Sequence, residues 1–139
     1  MLEKNQLLYK DLSYSIVGVA IEVRKNYGNG HKEILYHNAL KEEFEIRNIK
    51  FEFEKQIKIF SPKPKKVIGV YKPDFVIEDK IILEIKALSE VPDKLQRQLY
   101  DYLKNSKYEL GYFINFGSNK LDYKRIIYTN DRKNISVNQ

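Results

Sequence analysis

The chain has 139 residues, the length of one ordinary domain, and contains no cysteine. That excludes disulfides, thiolate zinc sites and cysteine-ligated iron–sulfur clusters, and makes the cytoplasm the expected compartment. Its 42% hydrophobic and 32% charged residues describe a globular chain, and its formal charge of +6 favours polyanionic partners.

No apolar run approaches the ~18–20 residues of a membrane span, so no membrane association is expected. The first residues, Met1 to Asn5, lack the basic-then-apolar layout of a signal peptide. Leu8, Leu12, Ile16, Ala20 and Val23 recur at three- and four-residue steps and predict a helix over about 3–26. The segment Tyr27-Gly28-Asn29-Gly30 breaks it. A second helix follows over about 31–47, with Leu35, Ala39, Leu40 and Phe44 facing inward and Asn48 as its stop.

The period then changes to two. Phe51, Phe53, Lys55, Ile57 and Ile59 alternate with polar residues as one half-exposed strand, and Ser61-Pro62-Lys63-Pro64 is a loop. Three short apolar runs follow at 67–71, 75–77 and 81–85, with Glu78-Asp79 as the turn between the last two. Ile81-Ile82-Leu83 does not alternate, as expected of a central strand covered on both faces. Pro92 opens a helix running to about Ser106, and strands are expected at 110–116 and 125–128. The order ααβββ(β)αββ predicts an α/β fold with a central mixed sheet flanked by helices. It forms a single domain over 1–129, followed by a polar tail at 130–139.

Charge is segregated along the chain. Between Lys55 and Lys72 lie six lysines (55, 58, 63, 65, 66 and 72) and no acid. Such a cluster suits phosphate contacts, or equally a hairpin loop kept soluble by lysine.

The stretch that carries chemistry is Pro73-Asp74 followed ten residues later by Glu84-Ile85-Lys86. Residues i and i+2 of a strand share a face, so Glu84 and Lys86 project together and Ile85 points away. A tight turn at Glu78-Asp79 would bring Asp74 towards Glu84. Two carboxylates and an ammonium at a strand end are the groups phosphodiester hydrolysis needs. The carboxylates hold Mg²⁺ or Mn²⁺, and the lysine serves the attacking water or the charged phosphate. The competing reading is a structural Glu84–Lys86 ion pair.

Two more motifs accompany this set. Gly30-His31-Lys32-Glu33-Ile34-Leu35-Tyr36 has the form G-x-x-E-x-x-Y, and Gln98-Leu99-Tyr100-Asp101-Tyr102 has the form Q-x-x-x-Y. With Pro73-Asp74 and Glu84-Ile85-Lys86 in this order, the chain from about Leu12 to Tyr128 resembles the GxxExxY family. That family is a single-domain branch of the PD-(D/E)xK nuclease superfamily, similar to RecB-like nuclease domains. The resemblance implies a restriction-endonuclease-like core and a Mg²⁺- or Mn²⁺-dependent nuclease. It implies Glu33, Asp74 and Glu84 as metal ligands, Lys86 as the catalytic lysine, and Gln98 and Tyr102 lining the substrate side. DNA is the expected substrate ahead of RNA, with a homodimer as one assembly that double-strand cutting would use.

Each residue also has a plainer reading. Glu33 favours a helix N-terminus, Tyr36 and Tyr102 suit core aromatics, and Gln98 suits the surface. His31 and His37, six residues apart, do not form a metal pair and read as surface or locally bonded histidines. Two alternatives to the enzyme remain: a nucleic-acid-binding module using the lysine cluster, and an accessory protein with a relict nuclease fold.

Overall fold

The computed structural model describes residues 8–133. Helices α1 (Lys10–Tyr27) and α2 (Glu33–Ile46) lead into strands β1 (Phe51–Phe53), β2 (Ile57–Phe60), β3 (Val67–Tyr71), β4 (Phe75–Ile77) and β5 (Ile81–Lys86). Helix α3 (Asp93–Lys104), β6 (Leu110–Asn115), β7 (Asp122–Ile127) and a short 3₁₀ turn at Asn130–Arg132 complete it.

The main sheet has the order β1-β4-β5-β6-β7, and β5 lies at its centre as its unbroken apolar sequence predicts. Every pair is antiparallel except β5–β6, which α3 connects as a parallel crossover. The result is a mixed sheet flanked by helices. On one face, α1 and α2 bury Ile16, Ala20, Leu40 and Phe44 against Phe75, Leu83 and Ile85. On the other, Leu99 and Leu103 of α3 pack on Val76, Ile82 and Phe113. Both helical stripes have the 3.6-residue period that a helix needs to cover a sheet.

Three boundaries differ from the sequence expectation. The alternating run at 51–59 is two strands in two different sheets, because Glu54 takes a left-handed φ of 55° and turns the chain. This adds a fifth strand before α3. β2 and β3 form a separate two-stranded ribbon. The last strand starts at Asp122, three residues early, since an edge strand tolerates exposed Lys124 and Arg125. The expected first helix begins at Lys10; its proposed first turns and residues 134–139 of the tail lie outside the described residues, apart from Leu8 and Tyr9, which form a turn.

The helix stops follow local chemistry. Gly28 ends α1 at φ 69°, donating its N–H to the Arg24 carbonyl, and Asn48 follows α2 at φ 57°. Both residues of the Glu78-Asp79 turn have positive φ (53° and 52°), as a tight hairpin turn between twisted strands requires.

Candidate metal and nuclease site

The β4–β5 hairpin fixes the register that matters. Phe75 pairs with Leu83, so Asp74, one residue before β4, stands opposite Glu84. Their contacts are reciprocal. The Asp74 N–H donates to Glu84 Oε1 at 3.0 Å, and the Ile85 N–H donates to Asp74 Oδ2 at 2.7 Å. Each acid is thus held by a backbone donor rather than by a lysine.

Helix α2 supplies the rest. Glu33 and His37 are one turn apart, and His37 Nε2 lies 3.3 Å from Glu33 Oε2 and 3.7 Å from Asp74 Oδ2. One ligand atom from each of Glu33, His37 and Asp74 falls within 4.8 Å of the others. Octahedral ligands at ~2.1 Å from a metal stand about 3 Å apart when adjacent and about 4.2 Å when opposite, so this group has nearly the right span.

The imidazole is buried and its Nε2 makes no hydrogen bond of good geometry with either carboxylate. The rings of Phe53 and Phe75 meet it edge-on at 5.6 and 6.1 Å and fix its orientation. Burial lowers the His37 pKa, but its contact with the Asp74 carboxylate, together with the Asp74 and Glu33 charges, outweighs it and the net shift is upward. A buried imidazole nitrogen that faces two carboxylates at 3.3 and 3.7 Å presents, with them, the mixed nitrogen and oxygen donors a divalent cation takes. The donor set fits a divalent cation.

Of the two expectations for His37, a surface position is corrected, since it is only 8% exposed and faces the site, while the local contact holds in its approach to Glu33 one turn away. Its signal was present in the sequence as a Glu-x-x-x-His spacing on one helical face. His31 lies elsewhere, its Nε2 2.9 Å from the Tyr27 carbonyl oxygen, so the two histidines form no pair.

Glu84 stands beside this three-residue group. Burial pushes its pKa up to about 7, and the Asp74 charge adds to the rise. The Asp74 N–H, the Tyr71 hydroxyl and the Lys86 ammonium oppose it. Tyr71 forms the wall over Glu84, its hydroxyl buried without a well-formed hydrogen bond. Burial and the Glu84 charge push that phenol far above its usual range. The ring stacks on Tyr102 at 3.6 Å and 10°, and Gln98 Nε2 donates to the Tyr102 hydroxyl at 3.3 Å. The Q-x-x-x-Y motif therefore reaches the site through Tyr71, a residue that sequence reasoning did not single out.

Lys86 shares the Glu84 face of β5, while Ile85 points into the α1–α2 core. No ion pair links Lys86 to Glu84 among the described residues, against the structural-pair reading. The chain leaving β5 is clamped by buried Asn115. Its Oδ1 accepts the Leu88 N–H at 2.9 Å and its Nδ2 donates to the Leu88 carbonyl at 2.8 Å. Gly117 allows this approach, since a Cβ there would stand 2.4 Å from the Leu88 nitrogen.

The G-x-x-E-x-x-Y motif also acquires a physical account. Tyr36 is fully buried, stacks on Phe116 at 4.7 Å, and donates its hydroxyl to the Gly28 carbonyl at 2.7 Å. Gly30 turns the chain at φ 93°. Tyr36 and Gly30 set the loop that starts α2, and Glu33 in the first turn of that helix points at the site.

A mixed sheet with an Asp at the start of one strand and a Glu-x-Lys on its antiparallel neighbour, joined by Glu33 from a flanking helix, has the architecture of a PD-(D/E)XK fold. The sequence agrees: residues 10–126 match the family model described as the PD-(D/E)XK nuclease superfamily, and the chain belongs to that superfamily. Among solved structures, the crystal structure of SSO0001 is similar, with a TM-score of 0.51 and 20% identity over 86% of this chain and 57% of that one. A likeness at that identity concerns the fold, and this chain spans a little over half of that protein's length. No curated protein matches it.

Proposed function

We propose that this protein is a divalent-metal-dependent nuclease of the GxxExxY branch, acting on DNA. The observation that carries the reading is the convergence of Glu33, His37 and Asp74, with Glu84 held on the Asp74 N–H. Asp74 is central to it, because its carboxylate faces α2 and its backbone faces Glu84.

A divalent ion bound by Glu33, His37 and Asp74 would lower the pKa of its water and offset charge on the phosphate. Glu84 completes the acidic set from the opposite strand. Lys86 places an ammonium beside it, where it stabilises the extra negative charge of the pentacovalent phosphate. Tyr102, stacked on Tyr71 and bonded by Gln98, holds Tyr71 over Glu84. An imidazole among carboxylates suits Mn²⁺ better than Mg²⁺, so Mn²⁺ is the favoured ion. The cysteine-free composition fits a reducing, cytoplasmic setting. Cutting both strands of a duplex would call for a homodimer.

A second reading, a non-catalytic nucleic-acid-binding module, draws on the exposed lysines of the β2–β3 ribbon. Metal binding separates the two. Mn²⁺ raises the melting temperature of a nuclease site, by about 2.7 kcal/mol of stability at a hundredfold excess over Kd. It leaves a module with a relict site unmoved. Replacing Asp74 with Ala removes both that rise and the cleavage if the proposal holds. Cleavage that persists in Asp74→Ala overturns it.

A further inference from the structure

The lysine-rich segment does not behave as one cluster. Lys55 is committed within the fold, 3.2 Å from Glu52 and 3.3 Å from Asp79. Lys58, Lys63, Lys65, Lys66 and Lys72 are exposed, and among the described residues none of them is in an ion pair. These five decorate the β2–β3 ribbon, which pairs with no strand of the main sheet.

The ribbon has two unlike faces. Ile57, Ile59 and Tyr71 turn inward onto the α3-side core. Outward lie Lys58 and, on β3, Ile68 and Val70, which are 67% and 56% exposed. A protein seldom leaves adjacent aliphatic side chains on a free ribbon surrounded by unpaired cations unless a partner covers them. The cations call for a polyanion, and the aliphatic groups call for an apolar surface within it.

The root of the ribbon places that partner. Tyr71, paired with Ile57, is the residue over Glu84, so the root of the ribbon borders the candidate site. At ~3.3 Å per residue, Lys66 and Lys65 at the tip stand up to roughly 17–20 Å from that root. This is about five to six base-pair steps along a duplex of 3.4 Å rise.

We infer that the β2–β3 ribbon is a duplex-DNA arm. It enters the major groove with Ile68 and Val70 against base edges, while Lys58, Lys63, Lys65 and Lys66 contact the flanking phosphates. This rests on the nuclease reading only for the bond presented at the root. B-form DNA has a major groove wide enough for a two-stranded ribbon, with thymine methyl groups for aliphatic contact. The deep, narrow major groove of A-form RNA does not admit one. A single strand would call for several outward aromatic rings on which bases stack, and of the ribbon's two aromatics Tyr71 is turned in against Tyr102, which leaves only half-buried Phe60.

The test is equilibrium binding in EDTA, where cleavage cannot occur. It uses a labelled DNA duplex, the same single strand, an RNA duplex and phosphatidylserine vesicles. Wild type should prefer the DNA duplex. The triple variant Lys63→Gln, Lys65→Gln, Lys66→Gln should bind it on the order of 10²-fold more weakly near 0.1 M salt. The slope of log K against log salt should fall by about 2.7, at ~0.9 per lost phosphate contact. Ile68→Ser, at a position too exposed to endanger folding, should weaken duplex binding several-fold and leave the slope unchanged.

Unaltered duplex binding in either variant overturns the inference, as does an equal loss on single strands. Ribbon-dependent binding to vesicles in preference to DNA also overturns it. If the ribbon variants bind normally while wild type still cuts with Mn²⁺, only the arm fails. If wild type never cuts yet binds duplex through the ribbon, only the nuclease reading fails.

Discussion

The β4–β5 hairpin carries an acidic group at each end, and the two ends treat their charge in opposite ways. At the turn, Asp79 accepts the Tyr108 hydroxyl at 2.6 Å and pairs with Lys107 and Lys55 at 3.2 and 3.3 Å. The Tyr108 hydrogen bond, followed by the two lysines, holds its carboxyl below the usual carboxylate range. At the open end, the Asp74 and Glu84 carboxylates accept backbone N–H groups and have no lysine in an ion pair among the described residues, and burial with the Asp74 charge pushes Glu84 up to about 7. One end is neutralised by its own fold and the other is not. A carboxylate pair that the protein leaves short of positive charge is the arrangement a cation completes.

This contrast can be broken most forcefully by exchanging acid for amide at each end. Asp74→Asn should reduce cleavage by at least about 10²-fold, since it removes charge where the proposed metal and phosphate would bind. Asp79→Asn should leave cleavage unchanged. Comparable losses in both variants would erase the distinction between the ends. The next largest effect concerns His37. His37→Ala should weaken Mn²⁺ binding by about 10- to 100-fold, read as a smaller metal-induced rise in melting temperature, while Asp79→Asn should retain the full rise.

The pH response sharpens the comparison further. With its folded pKa near 7 and an ordinary value of 4.5, Glu84 binds a proton more tightly in the folded chain. Metal-free stability from this group is therefore fully present below about pH 4.5 and lost as pH rises to about 7. Asp79, whose pKa is depressed, has the opposite sign: its contribution is present above the ordinary carboxylate range and lost on acidification. Thermal melts in EDTA across this range should show the first trend in wild type and a flatter one in Glu84→Gln. Saturating Mn²⁺ should remove it, because the cation replaces the proton. The smallest effect is on stability alone. Asp79→Asn should cost no more than about 1 kcal/mol, since the turn is half exposed and its ion pairs are screened.

Much of the hairpin was legible in the sequence. The Glu78-Asp79 turn and two short apolar runs determine the pairing, and a period of two then puts Glu84 and Lys86 on one face opposite Asp74. What stayed hidden depended on contacts between distant residues. The alternation through Phe53, Lys55 and Ile57 looks continuous because a break at Glu54 preserves the polar–apolar rhythm while sending the chain to another sheet. His37 gained its role only when Asp74 came to it from another element, and helix periodicity alone favoured Leu35 and Ala39 as the inward stripe. Lys55 reads as one more free lysine until the turn places Asp79 beside it. Tyr71 ends an apolar strand in the sequence, and its place over Glu84 comes from stacking on Tyr102 of α3.

The measurement that bears most directly on the central claim is cleavage of single- and double-stranded DNA and RNA with Mn²⁺, Mg²⁺ or EDTA, comparing wild type with Lys86→Ala. The account predicts metal-dependent cutting of DNA, strongest with Mn²⁺, that disappears in EDTA and in the variant. Cutting that survives in Lys86→Ala, or a wild type that cuts no substrate under any of these conditions, would contradict it.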